Sequence, residues 1–291
     1  MTWTSKSFLE WSAERLAQAG IDSPRLESEV LLAKSLRSSR EDLYRNPDRE
    51  LGEAEMVLSK SFVERRFLRE PVAYILGRRE FWGLEFQVTP DVLVPRWETE
   101  ILIEKFLQWV SSQSFAEPIN ILDLGTGSGN IAISVAKELP ESLVTAVDIS
   151  PQAIAIAKAN AWVHEVAGQV HFVEGDMFAC QFETSFHAIL SNPPYIEEDQ
   201  RDSLMPDVRD YEPEQALFGG PDGLACYRRI LPLASRHLKE NGVLFLEIGN
   251  SQVGDVVSLI ETHGGYHEPE VTLDYMGMER VVSARKKKQN G

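Results

Sequence analysis

Only two cysteines occur in the 291 residues, Cys180 and Cys226, and they stand at neither metal-ligand nor redox spacing. A disulfide framework and a dithiol motif are thereby excluded, and both read as ordinary buried or half-buried thiols in a reducing compartment. The six histidines are scattered, none at ligand spacing from another, so no metal is expected. No apolar run is long enough for a membrane span and no leader-like segment opens the chain, which points to a cytoplasmic protein without a membrane partner. Basic side chains are few beside acidic ones: 29 Lys and Arg stand against 45 Asp and Glu, for a net charge of −16. A broad phosphate-binding surface needs Lys and Arg in number, so stable nucleic-acid binding is not expected. The tail Arg285-Lys286-Lys287-Lys288 reads as a solvated, frayed end. No internal repeat is visible.

What remains is ordinary globular material, 43% hydrophobic and 25% charged, in a chain long enough for two domains. Residues 1–80 read as a small helical unit. Phe8, Leu9, Trp11, Leu16 and Ala17 make one amphipathic stretch closed by Gly20. Ser23-Pro24 opens a second helix as N-cap and first helical position, and Ser39 to Asp42 has the form of a capping box. A further helix covers Met56 to Leu68. Between Phe81 and Val94 the period changes to two, predicting a β-hairpin, residues 81–96, that turns at Pro90-Asp91 and joins the two parts. From 97 to 291 strands and helices alternate, the pattern of a parallel α/β sheet with helices on both faces; residues about 271–284 are read as edge strands.

Two motifs in this second part carry chemistry. Ile119 to Leu124 has strand character, Gly125-Thr126-Gly127-Ser128-Gly129 follows, and Ile131 to Lys137 continues as helix, which is the context a glycine-rich nucleotide motif requires. The glycines permit positive φ and leave no Cβ between backbone and ligand. A second strand ends in Asp148, about 20 positions on, where a ribose would receive hydrogen bonds. The final glycine of the dinucleotide fingerprint is missing, because Asn130 follows Gly129, and nothing demands a pyrophosphate. After a third strand, Asp176 is placed to bond an adenine amine, with Met177 or Phe178 packing on the ring.

The second motif is Asn192-Pro193-Pro194-Tyr195, after the apolar run Ala188-Ile189-Leu190. The Asn192 side-chain carbonyl and the Pro193 backbone carbonyl offer two acceptors for a planar NH2 group. The prolines stiffen the loop and remove two N–H donors, and Tyr195 can lie against a flat amide or base. With both N–H bonds held, the nitrogen lone pair points one way, which is catalysis by positioning. An NH2 of this kind occurs on glutamine and on adenine.

With Pro71 to Gly77, Glu80 to Leu84, Val94-Pro95-Arg96, Glu98-Thr99-Glu100, Asp123 to Gly129, Asn192 to Tyr195 and Glu212-Pro213 through Gly223, the chain resembles the peptide chain release factor glutamine N5-methyltransferases over nearly its whole length. One departure is Trp97, where that family usually has a second proline. The resemblance implies a Rossmann-like S-adenosylmethionine-dependent methyltransferase domain behind the small helical one. It implies S-adenosylmethionine at Gly125, Thr126, Gly127, Ser128, Gly129, Asp148, Asp176 and Met177. Asn192, Pro193, Pro194 and Tyr195 would hold the glutamine amide, with Asn192 also beside the cofactor and Arg96, Glu98 and Thr99 near the cleft. The front helices would dock a class 1 peptide chain release factor, whose Gly-Gly-Gln carries the target, with the enzyme a monomer and no strong general base assigned. The alternatives are an N6-adenine DNA or RNA methyltransferase, and a non-catalytic cofactor-binding adaptor of the translation machinery.

Overall fold

The computed structural model describes residues 2–288. The chain divides into two compact units, Met1–Arg78 with Met205–Tyr211, and Arg79–Leu204 with Glu212–Gly291. The first unit opens with helices α1 (Ser5–Gln18), α2 (Pro24–Leu36), α3 (Arg40–Arg45), α4 (Glu53–Phe67) and α5 (Val72–Leu76). Proline occupies the first position of α2, and the Ser39–Asp42 capping box opens α3 as the spacing predicts. Phe8, Leu9, Leu16, Leu31, Leu32 and Val63 form its core.

The hairpin differs from expectation. Its strands are β1 (Arg78–Phe81) and β2 (Leu84–Gln87), and the reversal is Trp82-Gly83, not Pro90-Asp91. Trp82 and Gly83 both have positive φ, 54° and 67°, as a two-residue turn matched to strand twist requires. The alternating run is therefore folded at its middle. Residues 91–96 form no strand and lie along the site described below.

The second unit continues through α6 (Glu100–Ser111), β3 (Asn120–Leu124), α7 (Asn130–Glu138), β4 (Leu143–Asp148), α8 (Pro151–Val163), β5 (Val170–Glu174) and β6 (Phe186–Ser191). After α9 (Pro206–Tyr211), which groups with the first unit, come α10 (Ala225–His237), β7 (Leu238–Glu247), α11 (Val253–His263), β8 (Glu270–Leu273) and β9 (Glu279–Arg285). Within the first unit, buried Arg66 binds Glu27 at 2.5 Å and Asp207 of α9 at 3.0 Å. Arg69 joins the same Asp207 carboxylate.

The seven strands are ordered β5-β4-β3-β6-β7-β9-β8. The first five are mutually parallel, while β9 runs antiparallel to both β7 and β8. Only β8 of the last pair is an edge strand; β9 is interior because it pairs on both sides. Alternate residues feed opposite faces: Ile121, Ala188, Leu190 and Phe245 pack beneath α6 and α7, while Leu122, Ile189, Leu244 and Leu246 pack beneath α10 and α11. The basic tail is also more ordered than expected. Arg285 ends β9, and the buried Lys286 ammonium donates to the Leu238 carbonyl at 2.7 Å, with its pKa lowered by burial.

One side chain ties three segments of this unit together. Asn160 of α8 accepts from Gln87 N at 2.8 Å and donates to Gln87 O at 3.1 Å and Ser128 O at 2.9 Å. All three partners are backbone groups, one of them in the glycine-rich turn. We predict that Asn160→Ala destabilises the second unit by about 3 kcal/mol, because it orphans buried backbone groups. Urea denaturation followed by tryptophan fluorescence checks this; a shift below about 0.5 kcal/mol refutes it.

Candidate active site

Pairing brings the two sequence motifs together. In the parallel ladder of β3 and β6, Leu124 lies opposite Ser191, so the turn starting at Gly125 and the loop starting at Asn192 leave the sheet side by side. The Ser191 hydroxyl donates to the Leu124 carbonyl at 2.8 Å. From β3 the chain crosses to β4 on one side, and from β6 to β7 on the other. This is the switch point at which open α/β sheets form a crevice beyond their carboxyl ends.

A cavity of about 310 Å³ occupies that crevice. Gly125, Gly127, Asp148, Asp176, Met177 and Phe178 line it on one side, and Asn192 and Pro194 on another. Residues that carried no expectation complete it: Asp91, Val92 and Leu93 after the hairpin, Ile149 and Ser150 after Asp148, Pro213, Gln215 and Ala216, and Cys226 with Arg229 on α10. Sequence spacing held no signal for the hairpin and α10 residues, which arrive only through tertiary folding.

The other members of the two motifs support from behind. Thr126 is buried and its hydroxyl donates to Asp123 at 2.6 Å. The Ser128 carbonyl is held by Asn160. Gly129, with φ of 82°, caps α7, and a Cβ there would lie 2.8 Å from the Ile133 side chain. Pro193 is buried, and Tyr195 packs with the core under α10 rather than lining the cavity.

The lining polar groups are partly committed. Asp148 accepts from Gly127 N at 2.8 Å and Ser150 N at 2.9 Å, one bond to each oxygen. Each oxygen therefore keeps a lone pair. Burial raises the Asp148 pKa, opposed by these backbone bonds. Asp176 accepts from Phe178 N at 2.9 Å and faces Arg229 at 3.5 Å, whose guanidinium sits 3.7 Å over the Phe178 ring. The Asn192 amide nitrogen donates to the Thr99 hydroxyl at 3.1 Å. The amide oxygen and the Pro193 carbonyl take no hydrogen bond among the described residues; of these two residues Asn192 lines the cavity and Pro193 does not.

The acceptor loop is braced by the segment after Glu212. Ile196 N donates to Leu217 O and Gly219 N to Ile196 O, each at 2.9 Å. A Cβ on Gly219 would lie 2.6 Å from the Pro194 carbonyl oxygen, and one on Gly223 would collide with the Tyr195 carbonyl. Only glycine allows that approach. Buried Glu212 binds Val94 N at 3.2 Å and Arg96 at 2.5 Å, pinning the hairpin exit on which Trp97 replaces the expected proline.

Two carboxyls are fully buried at the strand ends. Burial pushes Asp123 up to about 7, opposed by the Thr126 hydroxyl. Burial likewise pushes Glu247, the last residue of β7, up to about 7, opposed by the neighbouring Thr99 side chain and by the charge of Arg280. Burial holds the Tyr195 phenol up at about 12, so it stays protonated and serves as no base near neutrality.

A parallel sheet of this order, with a glycine turn after its first strand, an acidic residue ending the second and the Asn192-Pro193-Pro194-Tyr195 loop at the switch point, is that of a Rossmann-like methyltransferase. A methyltransferase from Pyrococcus furiosus shares this fold with a TM-score of 0.51, at 19% identity over 71% of this chain and 90% of that one. Residues 7–77 match the PrmC N-terminal domain and residues 99–207 the methyltransferase small domain. The release factor glutamine methyltransferase of Geobacter sulfurreducens is 41% identical over 97% of both chains. That of Moorella thermoacetica is 39% identical over 98% of this chain and all of its own. The chain belongs to the release factor glutamine methyltransferase family. Among the described residues no helix is long and apolar enough to cross a membrane.

The buried carboxyls set a pH signature. Glu247 has an ordinary value of 4.5 and titrates near 7 when folded, so between these limits the folded state holds a proton the unfolded state has lost. Its contribution to stability falls as pH rises through that window. We predict that Glu247→Gln, relative to the parent, is more stabilising at pH 8 than at pH 5, by on the order of 2–3 kcal/mol. Paired urea titrations at the two pH values measure the difference, and a pH-independent difference refutes it.

Proposed function

We propose that this chain transfers the methyl group of S-adenosylmethionine to the side-chain amide nitrogen of the glutamine in the Gly-Gly-Gln motif of class 1 peptide chain release factors. The reading rests on one observation above others: Asn192, with its amide oxygen unengaged, borders the same cavity as the glycine turn and Asp148. The names borne by its full-length relatives support glutamine as the acceptor.

The residues fit the cofactor. The cavity is of small-molecule size. Gly125 and Gly127 leave it open at φ of 76° and 55°, and the spare lone pairs of Asp148 suit the two hydroxyls of a ribose. Asp176 would accept from an adenine amine, while Ile149 with Met177 or Phe178 offers apolar faces to the ring. Bound S-adenosylmethionine supplies a methyl group activated by a sulfonium.

The chain's own part is orientation. Asn192 Oδ1 and the Pro193 carbonyl would accept the two N–H bonds of the glutamine amide and turn its nitrogen lone pair toward the methyl donor. Alignment of this kind lowers a barrier by about 7–11 kcal/mol in favourable cases. Neither Tyr195, protonated near neutrality, nor any lining residue is assigned as a strong base; the amide proton passes to solvent after transfer. The front helices would dock the release factor. The net charge of −16 stands against an adenine in nucleic acid as the acceptor.

Incubation with methyl-labelled cofactor and either a release factor or nucleic acid tests this directly, with mass spectrometry locating the label. We expect label on the Gly-Gly-Gln glutamine and a loss of at least about 100-fold in kcat for Asn192→Ala. Label in nucleic acid alone, or an Asn192→Ala enzyme as active as the parent, overturns the assignment.

A further inference from the structure

Five large apolar side chains are exposed within eight positions, Val271, Leu273, Tyr275, Met276 and Met278, all on β8 or on the turn that joins it to β9. Tyr275 is 78% exposed and Met276 75%. A turn is ordinarily built from glycine, asparagine, aspartate or serine, so nothing in the reversal itself calls for a tyrosine and two methionines. Apolar groups gathered on a surface in this way mark a site of contact, and tyrosine and methionine are enriched in such sites.

The turn is held rather than loose. Asp274 is buried, and its Oδ1 accepts from Met276 N at 2.9 Å and Met278 N at 3.0 Å. Its Oδ2 meets Arg280 at 3.2 Å, and Arg280 in turn donates to Ile248 O at 3.4 Å and Asn250 Oδ1 at 3.2 Å. Gly277, at φ of 80°, closes the reversal, and the Tyr275 hydroxyl donates to Glu104 of α6 at 2.7 Å. The display is thus fixed before any partner arrives, which lowers the cost of binding. Register sets its place. Leu246 of β7 lies opposite Ser191 and Glu247 opposite Val281, so the turn before β9 leaves the sheet at the carboxyl edge, where the Asn192 loop also leaves. With strands about 4.8 Å apart, β9 stands about 10 Å and β8 about 14 Å from β6.

We propose that the β8–β9 turn is a docking surface for the body of the protein that carries the methyl acceptor, gripping an apolar patch of the release factor beside its Gly-Gly-Gln motif. A separation of about 10 Å or more is beyond the reach of a glutamine held at Asn192 and within that of the folded protein around it. Strand β8 has four residues and a register break between Thr272 and Leu273, so it offers a second copy of the chain a poor edge for strand pairing. The contact is therefore made by side chains. The proposal rests on the reading of a release factor as substrate, and it separates recognition of that protein from the chemistry at Asn192.

The test uses the full chain and a purified release factor. It compares Tyr275→Ser combined with Met276→Ser, Met276→Asp alone, and Trp162→Ser, a control that removes a similarly exposed ring from α8. Loss of the apolar pair, or a charge set within it, is expected to weaken release-factor binding in calorimetry and to raise the KM for it, each by at least about tenfold. Turnover at saturating release factor should stay within about threefold of the parent, and S-adenosylmethionine affinity within about twofold, because the turn does not line the cavity. Trp162→Ser should match the parent throughout. Release-factor affinity and KM within about twofold of the parent in both turn variants overturns the proposal, as does a loss confined to kcat or an equal loss in Trp162→Ser. A parent that sediments as a dimer, with the turn variants monomeric, overturns it too, because the surface then belongs to a second copy. Should the double variant not fold, Met276→Asp, which removes no side-chain hydrogen bond, decides by the same criterion. If the parent neither binds nor labels a release factor, the underlying reading falls; if parent and variants do so alike, only the role of the turn falls.

Discussion

Leu124 and Ser191 are 67 residues apart in sequence and directly opposed in the sheet, and every feature of the site depends on that pairing. Strand residues point to alternate faces, so a slip of one position would turn Ile189 and Leu190 to the wrong layers and separate the loops that follow. The two apolar layers therefore hold the register, because Ala188 and Leu190 belong to one core and Ile189 to the other. Burial on both faces of the sheet is what sets the distance between a glycine turn and an amide acceptor. Chemistry at the crevice is in this sense a consequence of core packing.

Rigidity of the loops comes from outside them. The prolines at 193 and 194 restrict φ, but the loop's place is set by the approach of Gly219 and Gly223 to its carbonyls and by the Gln252 amide, which donates to Tyr195 O at 2.9 Å. On the other wall, Glu212 holds Val94 and Arg96, and Asn160 holds the glycine turn against the hairpin. The side-chain hydrogen bonds among these braces connect segments between 32 and 118 positions apart, so each closes a long loop. That explains how a site made almost wholly of loops can be preorganised: its backbone groups are spoken for by buried side chains on fixed elements.

The sequence carried the local part of this arrangement and little of the rest. Strand–glycine turn–helix and the places of Asp148, Asn192 and Pro194 beside one cavity were legible because each belongs to a short-range pattern with a mechanical cause, whereas Pro193 and Tyr195 do not line that cavity. The hairpin was misplaced because Pro90-Asp91 is a stronger turn signal by composition than Trp82-Gly83, although a left-handed Trp82 is accepted here. The tail misled for a related reason. Four consecutive basic residues look solvated, yet Lys286 is buried and bonded to a carbonyl 48 positions earlier. Arg229 and Leu93 reach the cavity through topology alone, while Gln215 lies in the Glu212–Gly223 segment that carried the resemblance but no assigned role.

Two fully buried carboxyls sit near strand ends. Asp123, one residue before β3 ends at Leu124, receives the Thr126 hydroxyl; Glu247 ends β7. Each sits at full burial with its pKa raised, so each weakens the folded state as the solution becomes alkaline. Asp123 also removes the ambiguity of a hydroxyl that could otherwise rotate. At Thr126 this ties the glycine turn to the strand it follows. A hydroxyl in an apolar setting would have several rotors of similar energy, and the groups bonded to it would inherit that freedom. Stability is thus surrendered near two strand ends, and at Asp123 it is exchanged for a polar group with a single orientation at the root of the glycine turn.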